Sequence, residues 1–202
     1  ITNAKLAQDI ISGETALTAE PADTDEFLVS DAGTLKRVDY SYIKGGGITV
    51  ADHWRLTTGF TGNADPITSN LERVDAPSGY GQLGSAMTES SGVFTFPSTG
   101  YYLVRFTAGQ TRSGGDNRYL TNQINVTTDN SSYNALSYSQ QGLHIDSGSI
   151  YASSSTEGIV DVTSTSNVKV SFTISMNSST TTCAGDTAVT ITGMTFIRLG
   201  DT

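Results

Sequence analysis

The stretch Val93-Phe94-Thr95-Phe96-Pro97-Ser98-Thr99-Gly100-Tyr101-Tyr102-Leu103-Val104 carries the reading of the fold. From Gly100 the chain alternates, so that Tyr102, Val104 and Phe106 share one strand face while Tyr101, Leu103 and Arg105 share the other. Both faces carry apolar bulk. In a two-sheet sandwich only one face of a strand meets the core, so apolar residues on the second face ask for a further surface to cover them. Self-association is the economical expectation.

Working outward, strand signals recur from Ile48 to the end with the short spacing of an antiparallel sandwich, which leaves little room for helices. Leu120, Asn122, Ile124 and Val126 form one line, bounded by Gly114-Gly115-Asp116 and Asp129-Asn130-Ser131. Val168, Val170, Phe172, Ile174 and Met176 alternate with Lys169, Ser171, Thr173 and Ser175, which predicts a strand with one apolar and one polar side. The closing segment Val189 to Leu199 places Met194, Phe196 and Arg198 on one side and Val189, Ile191, Thr195, Ile197 and Leu199 on the other. It too predicts a strand with both faces covered.

Composition agrees with this reading. Among 202 residues there are 25 Ser, 30 Thr and 21 Gly, a balance suited to strands and turns whose surface is built from hydroxyls more than charges. The net charge of −9 argues against a nucleic-acid binder, which needs clustered Lys and Arg to displace counterions. A single cysteine, Cys183, excludes an intrachain disulfide, and no Cys/His cluster is spaced to hold zinc. No run approaches the roughly 20 apolar residues of a membrane span, and the start does not resemble a signal peptide. Because the chain starts at Ile1, missing upstream residues are expected to carry an attachment site.

The quoted stretch resembles the F-x-x-P-x-x-G-x-Y signature of complement globular-head and tumour-necrosis-factor-like jelly rolls, through Phe94, Pro97, Gly100 and Tyr102. Segment order fits from about Val50 to Leu199: a strand at Tyr119 to Thr127, one ending Gly158-Ile159-Val160-Asp161-Val162, then Val168 to Met176, then Thr192 to Leu199. His53-Trp54-Arg55-Leu56 departs from the usual first strand. The resemblance implies an all-β antiparallel jelly-roll sandwich in which three copies pack around an axis through the sheet holding the Gly-x-Tyr strand and the last strand. Tyr101, Leu103, Arg105, Ile197 and Leu199 are then the candidate trimer interface.

A boundary near Gly45-Gly46-Gly47 separates residues 1–47, an arm, from residues 48–202, the jelly-roll head. Ile1 to Ile11 can make a short helix that is too small to stand alone. Glu26-Phe27-Leu28-Val29-Ser30 and Leu35 to Tyr40 flank Asp31-Ala32-Gly33-Thr34, a hairpin signal, and an isolated hairpin is marginal in water. Ile1-Thr2-Asn3-Ala4-Lys5-Leu6-Ala7 is similar to repeat units of bacteriophage tail-fibre stalks, and Asp25 to Ile43 is similar to a hairpin module of phage fibre and other virion proteins.

Residues that could carry chemistry have simpler readings. Gly79-Tyr80-Gly81-Gln82-Leu83-Gly84 satisfies GxGxxG but lacks the strand-helix-strand setting that would bring its glycines to a pyrophosphate. His144-Ile145-Asp146-Ser147 gathers triad residue types in sequence, whereas triads assemble in space from separate segments. Asp23, Asp25 and Glu26 lack the late Glu and central Gly of a calcium loop. Asn-x-Ser/Thr matches at Asn125, Asn130 and Asn177 are expected by chance in a chain this rich in hydroxyls. The stretch containing Arg112, Asp116, Asn117 and Arg118 is the candidate receptor-binding loop, with Ser178 to Asp186 second, because binding residues gather on loops held by a rigid scaffold. The aromatics Trp54, Tyr80, Tyr119, Tyr133, Tyr138 and Tyr151 are the candidates for stacking on sugar rings.

The expectation is a non-enzymatic virion protein without a cofactor: a homotrimeric phage tail fibre or spike whose head contacts a host-surface glycan or protein and whose arm meets other virion proteins. Neither nucleic acid nor membrane insertion is expected. A capsid decoration or head-fibre protein is the alternative.

Overall fold

The computed structural model describes residues 15–44, 46–75, 81–144 and 148–202. The short helical stretch expected at Ile1 to Ile11 lies outside them. The chain divides into two units, Ile1–Gly47 and Ile48–Thr202.

In the first unit, β1 (Glu26–Asp31) and β2 (Thr34–Asp39) form an antiparallel hairpin in which Asp31 pairs with Thr34. The two linking residues, Ala32 and Gly33, have φ of 50° and 84°. Two consecutive positive φ angles give a turn whose twist matches that of the strands it joins. Ion pairs Glu26–Arg37 and Asp31–Lys36 flank the ladder. Tyr40, read from sequence as strand, instead opens a one-turn helix, α1 (Tyr40–Ile43), and its ring packs on Phe27. Phe27, Leu28, Val29 and Leu35 are all exposed, because two strands alone cannot bury both faces of their sheet.

The second unit contains β3 (Ala51–Leu56), β4 (Phe60–Thr61), β5 (Leu71–Arg73), β6 (Thr88–Ser90), β7 (Val93–Thr95), β8 (Gly100–Ser113), β9 (Asn117–Thr127), β10 (Asn134–Leu143), β11 (Ser149–Val162), β12 (Lys169–Met176), β13 (Thr182–Cys183) and β14 (Gly193–Gly200). They form two antiparallel sheets. The larger follows β5-β3-β14-β8-β11, with β13 and β4 continuing along the β14 edge of β8; the smaller follows β6-β7-β12-β9-β10. Two sheets with this order make a tumour-necrosis-factor-like jelly roll, preceded by the hairpin. His53 and Trp54 do belong to its first strand.

The quoted motif is the hinge between the sheets. Phe94, in β7, and Phe96 enter the core, and Pro97, which has no N–H to give a ladder, lies where the chain leaves the smaller sheet for the larger. Gly100 starts β8 with φ of 136°, and a Cβ there would come within 2.5 Å of the Gly200 carbonyl oxygen, so only glycine fits. Tyr102 is fully buried, packs on Phe96 and reaches back with its hydroxyl to Ser98. Burying the ring while satisfying its O–H fixes the corner.

Tyr102, Val104 and Phe106 face inward from β8, as do Met194 and Phe196 from β14. Phe172 of β12 meets Phe94, Phe106 and Phe196 at ring-centroid distances of 5.0–6.0 Å. Leu120, Asn122 and Ile124 of β9 line the same core, and the buried Asn122 amide donates to the Phe106 carbonyl.

Candidate functional site

Strand pairing carries outward-facing residues of the larger sheet into rows. Leu103 lies opposite Ile159 on one side and Ile197 on the other, and Ile197 lies opposite Ala51. The result is an apolar row across β11, β8, β14 and β3. Ile159 is 60% exposed, whereas Leu103 and Ile197 are half-buried by their neighbours. The next row is Glu157, Arg105, Thr195 and His53. Opposite charges on adjacent strands thus border the apolar row. Tyr101 is also exposed on this face.

His53 is half-buried at the end of its row beside a depression of about 280 Å³ that Arg105 and Thr195 also line. Burial lowers its pKa below 6.5; the neighbouring Asp52 carboxylate opposes the shift and Arg55 adds to it. The imidazole is therefore held toward its neutral form.

Four of the five sequence-nominated interface residues, Tyr101, Leu103, Arg105 and Ile197, share this face. Leu199 requires a correction. The register passes from Arg198 opposite Tyr102 to Gly200 opposite Tyr101, so a bulge at Leu199 breaks the alternation that had assigned it a side. It is exposed, but its face does not follow from parity. The closing strand also begins at Gly193, four residues later than expected; Thr192, just before it, is buried and accepts a hydrogen bond from the Gly109 amide. Sequence reasoning missed Ile159 as a member of the face, although its alternation with Val160 and Val162 placed it opposite their core side.

The proposed receptor loop is corrected more severely. Arg112 is in β8 and Arg118 in β9, and only Gly114, Gly115 and Asp116 separate these strands. Arg112 donates to the Gly115 carbonyl and to the hydroxyls of Ser178, Thr180 and Thr181, so it staples two loops together. Asn117 is fully buried and accepts a hydrogen bond from the Ser178 amide. A side chain so placed has no surface to offer a receptor. Asp116 and Arg118 remain outside, Asp116 against His144 and Arg118 against Asn177. In the second nominated loop, Thr181 and Cys183 are buried and Thr182–Cys183 is a strand. Burial raises the Cys183 pKa to about 11, leaving an unreactive thiol.

The smaller sheet corrects a further expectation. Ser171 and Thr173, expected to be the solvated side of β12, are 5% and 7% exposed. Segment 63–67 lies against the free edge of β12, with the Ala64 and Ile67 amides donating to the Ile174 and Phe172 carbonyls. Its Asp65 carboxylate accepts the Thr173 hydroxyl.

A buried ion network pins β3 to β5, and no sequence signal pointed to it. Asp52 is 2% exposed and accepts from Trp54 Nε1, Arg73 and the Met87 amide, while the Arg73 guanidinium stacks over the Trp54 ring. Arg55, also buried, bridges Glu72 and Asp75. Each charge is hydrogen-bonded, as burial requires. Among the described residues no group of three or more His, Cys, Asp or Glu could hold a metal ion, and no helix is long and apolar enough to cross a membrane. Of the nominated chemical motifs, Gly79, Tyr80 and residues 145–147 lie outside the described residues. Leu83 exchanges backbone hydrogen bonds with Ala51 in an extended pairing.

No protein-family model and no curated protein matches the chain. Among solved structures it is similar to murine APRIL, a member of the tumour-necrosis-factor family. For the crystal structure of murine APRIL at pH 5.0 the TM-score is 0.52 at 12% identity, covering 74% of this chain and 98% of that one. For that at pH 8.0 the TM-score is 0.50 with the same identity and coverage. At such identity the likeness is one of fold.

Proposed function

We propose that the protein is a structural component of a phage virion, a homotrimeric fibre or spike whose jelly-roll head binds the host surface. The observation that carries the trimer is the row Ile159, Leu103, Ile197 and Ala51, apolar side chains set side by side on the outward face of four paired strands. A face of this kind is stabilised when copies bury it. What supports the virion role is the similarity of Ile1 to Ala7 to tail-fibre stalk units and of Asp25 to Ile43 to a virion hairpin module. The exposed apolar residues of the hairpin suit contact with other virion proteins. Three weak head sites on one trimer would act together through avidity.

Two measurements test this reading. Light scattering of the full chain at micromolar concentration should report the mass of three copies; a stable monodisperse monomer refutes the trimer. Antibody labelling of intact particles should mark tail-fibre tips. Labelling on the capsid shell would instead identify a decoration protein, and particles with no label refute the virion role.

A further inference from the structure

The outward face of the smaller sheet differs in chemistry from the apolar row. Pairing sets Ser171 beside Asn125, Asn125 beside Ala135, and Ser171 beside Val93. Thr173 and Gln123 form the next row. Asp65, Pro66 and Tyr133 rise around these positions and enclose a cleft of about 390 Å³. Its polar groups are held in a chain: Gln123 donates to Asn125 Oδ1, Asn125 donates to Thr173 Oγ1 at 2.8 Å, and Thr173 donates to Asp65 Oδ1 at 2.6 Å. Such a chain locks the amide orientations before any ligand arrives, which lowers the cost of ordering on binding.

The chain leaves capacity unused. Ser171, 95% buried, makes no side-chain hydrogen bond to a described residue, and the same holds for Gln123 Oε1, the Tyr133 hydroxyl and the second oxygen of Asp65. These groups offer donors and acceptors of both senses within one cleft. Val93, Pro66 and Ala135 supply an apolar floor, and the exposed Tyr133 ring supplies a flat wall. Apolar surface with a few fixed polar groups is the usual make-up of a small-molecule site. Among the described residues no lysine or arginine lines the cleft, and the one charged side chain lining it is a carboxylate.

We infer that this cleft is a binding site for a neutral saccharide, with Tyr133 against the sugar ring and Gln123, Asn125, Ser171 and Asp65 on its hydroxyls. A pyranose presents one apolar face and a rim of hydroxyls that both donate and accept, which matches an aromatic wall beside amide, hydroxyl and carboxylate groups. An acidic sugar would bring its carboxylate toward Asp65, and no described residue of the lining is a cation to receive it. As the means by which the head meets its host, the inference rests on the host-binding reading; as a binding site it is measured independently.

The test titrates the full-length chain with galactose, glucose, mannose and N-acetylglucosamine, and with sialic acid as the acidic arm, following backbone amide NMR shifts. At least one neutral sugar should bind with a Kd of about 1 mM, moving the resonances of Gln123, Asn125 and Ser171. Tyr133→Ala should weaken it about tenfold, and Ala135→Arg, at an exposed position, should block the cleft while the rest of the spectrum stays folded. The inference is overturned if no neutral sugar moves these resonances, if sialic acid binds more tightly than all of them, or if both variants bind as the parent does. Attachment to host cells separates the two readings. Sugar binding without attachment by the parent overturns only the host-binding role; attachment that Ala135→Arg leaves intact overturns only the cleft as its means.

Discussion

The two sheets of the jelly roll share one core and present opposite outer faces. Both follow the same rule of alternation, with Val104 and Phe106 inward from β8 and Phe172 and Ile174 inward from β12. The residues between them differ. On the larger sheet they include Leu103, Ile159 and Ile197, held in a row; on the smaller they are Ser171, Thr173, Gln123 and Asn125, tied into a hydrogen-bonded chain. A strand fixes which side chains point away from the core but not what that second side is for. An apolar row is relieved by burial against protein, whereas fixed amides and hydroxyls around a cleft suit a polar ligand.

The sharpest way to break this comparison is to strike between the faces. Phe172 is almost fully buried among three other phenylalanines, so Phe172→Ala should cost roughly 3–5 kcal/mol of folding stability, read by denaturant unfolding. Neither face should survive it well. Leu103→Asp is the contrasting change, because it sets a carboxylate in the middle of the apolar row without touching the core. It should leave the monomer folded and weaken self-association by about a hundredfold, read by sedimentation across a dilution series. If Leu103→Asp unfolds the protein as Phe172→Ala does, the inward and outward sets have been confused.

The smallest expected effect is a pH dependence confined to the larger sheet's side. His53 has its pKa lowered in the native state, so the unfolded chain takes up a proton first as pH falls. Its contribution to stability is complete above about pH 6.5 and is lost as pH falls through the lower native value. Melting temperature should decline slightly over that interval, and His53→Gln should flatten the decline. An unchanged slope in the variant would place the titrating group elsewhere.

Much of the fold was legible because its signals are local. Asp31-Ala32-Gly33-Thr34 specifies its turn through residues adjacent in the chain, and two positive φ angles are found at Ala32 and Gly33, inside the stretch read as a hairpin signal. The F-x-x-P-x-x-G-x-Y stretch likewise keeps its corner within nine residues, where Tyr102 returns to Ser98. The misread places are those where a distant segment intervenes. Residues 112–118 look like a polar loop until the 178–181 turn lies against them, and β12 looks half-solvated until Asp65 of segment 63–67 reaches its polar side at Thr173.

The candidate interface shows the same division. Alternation alone assigned Tyr101, Leu103, Arg105 and Ile197 to one side of their strands, because successive side chains in a strand point to opposite faces whatever the strand pairs with. It failed at Leu199, where a bulge in pairing with β8 consumed one residue of the alternation. Only the tertiary structure brought Ile159 beside Leu103, sank Asp52 against Arg73, and gathered Asp65, Asn125, Tyr133 and Ser171 around one cleft. The period of a strand is a property of its own backbone, and the sequence determined it. Which side chains become neighbours depends on strand order and register, which are chosen by the packing of the whole core.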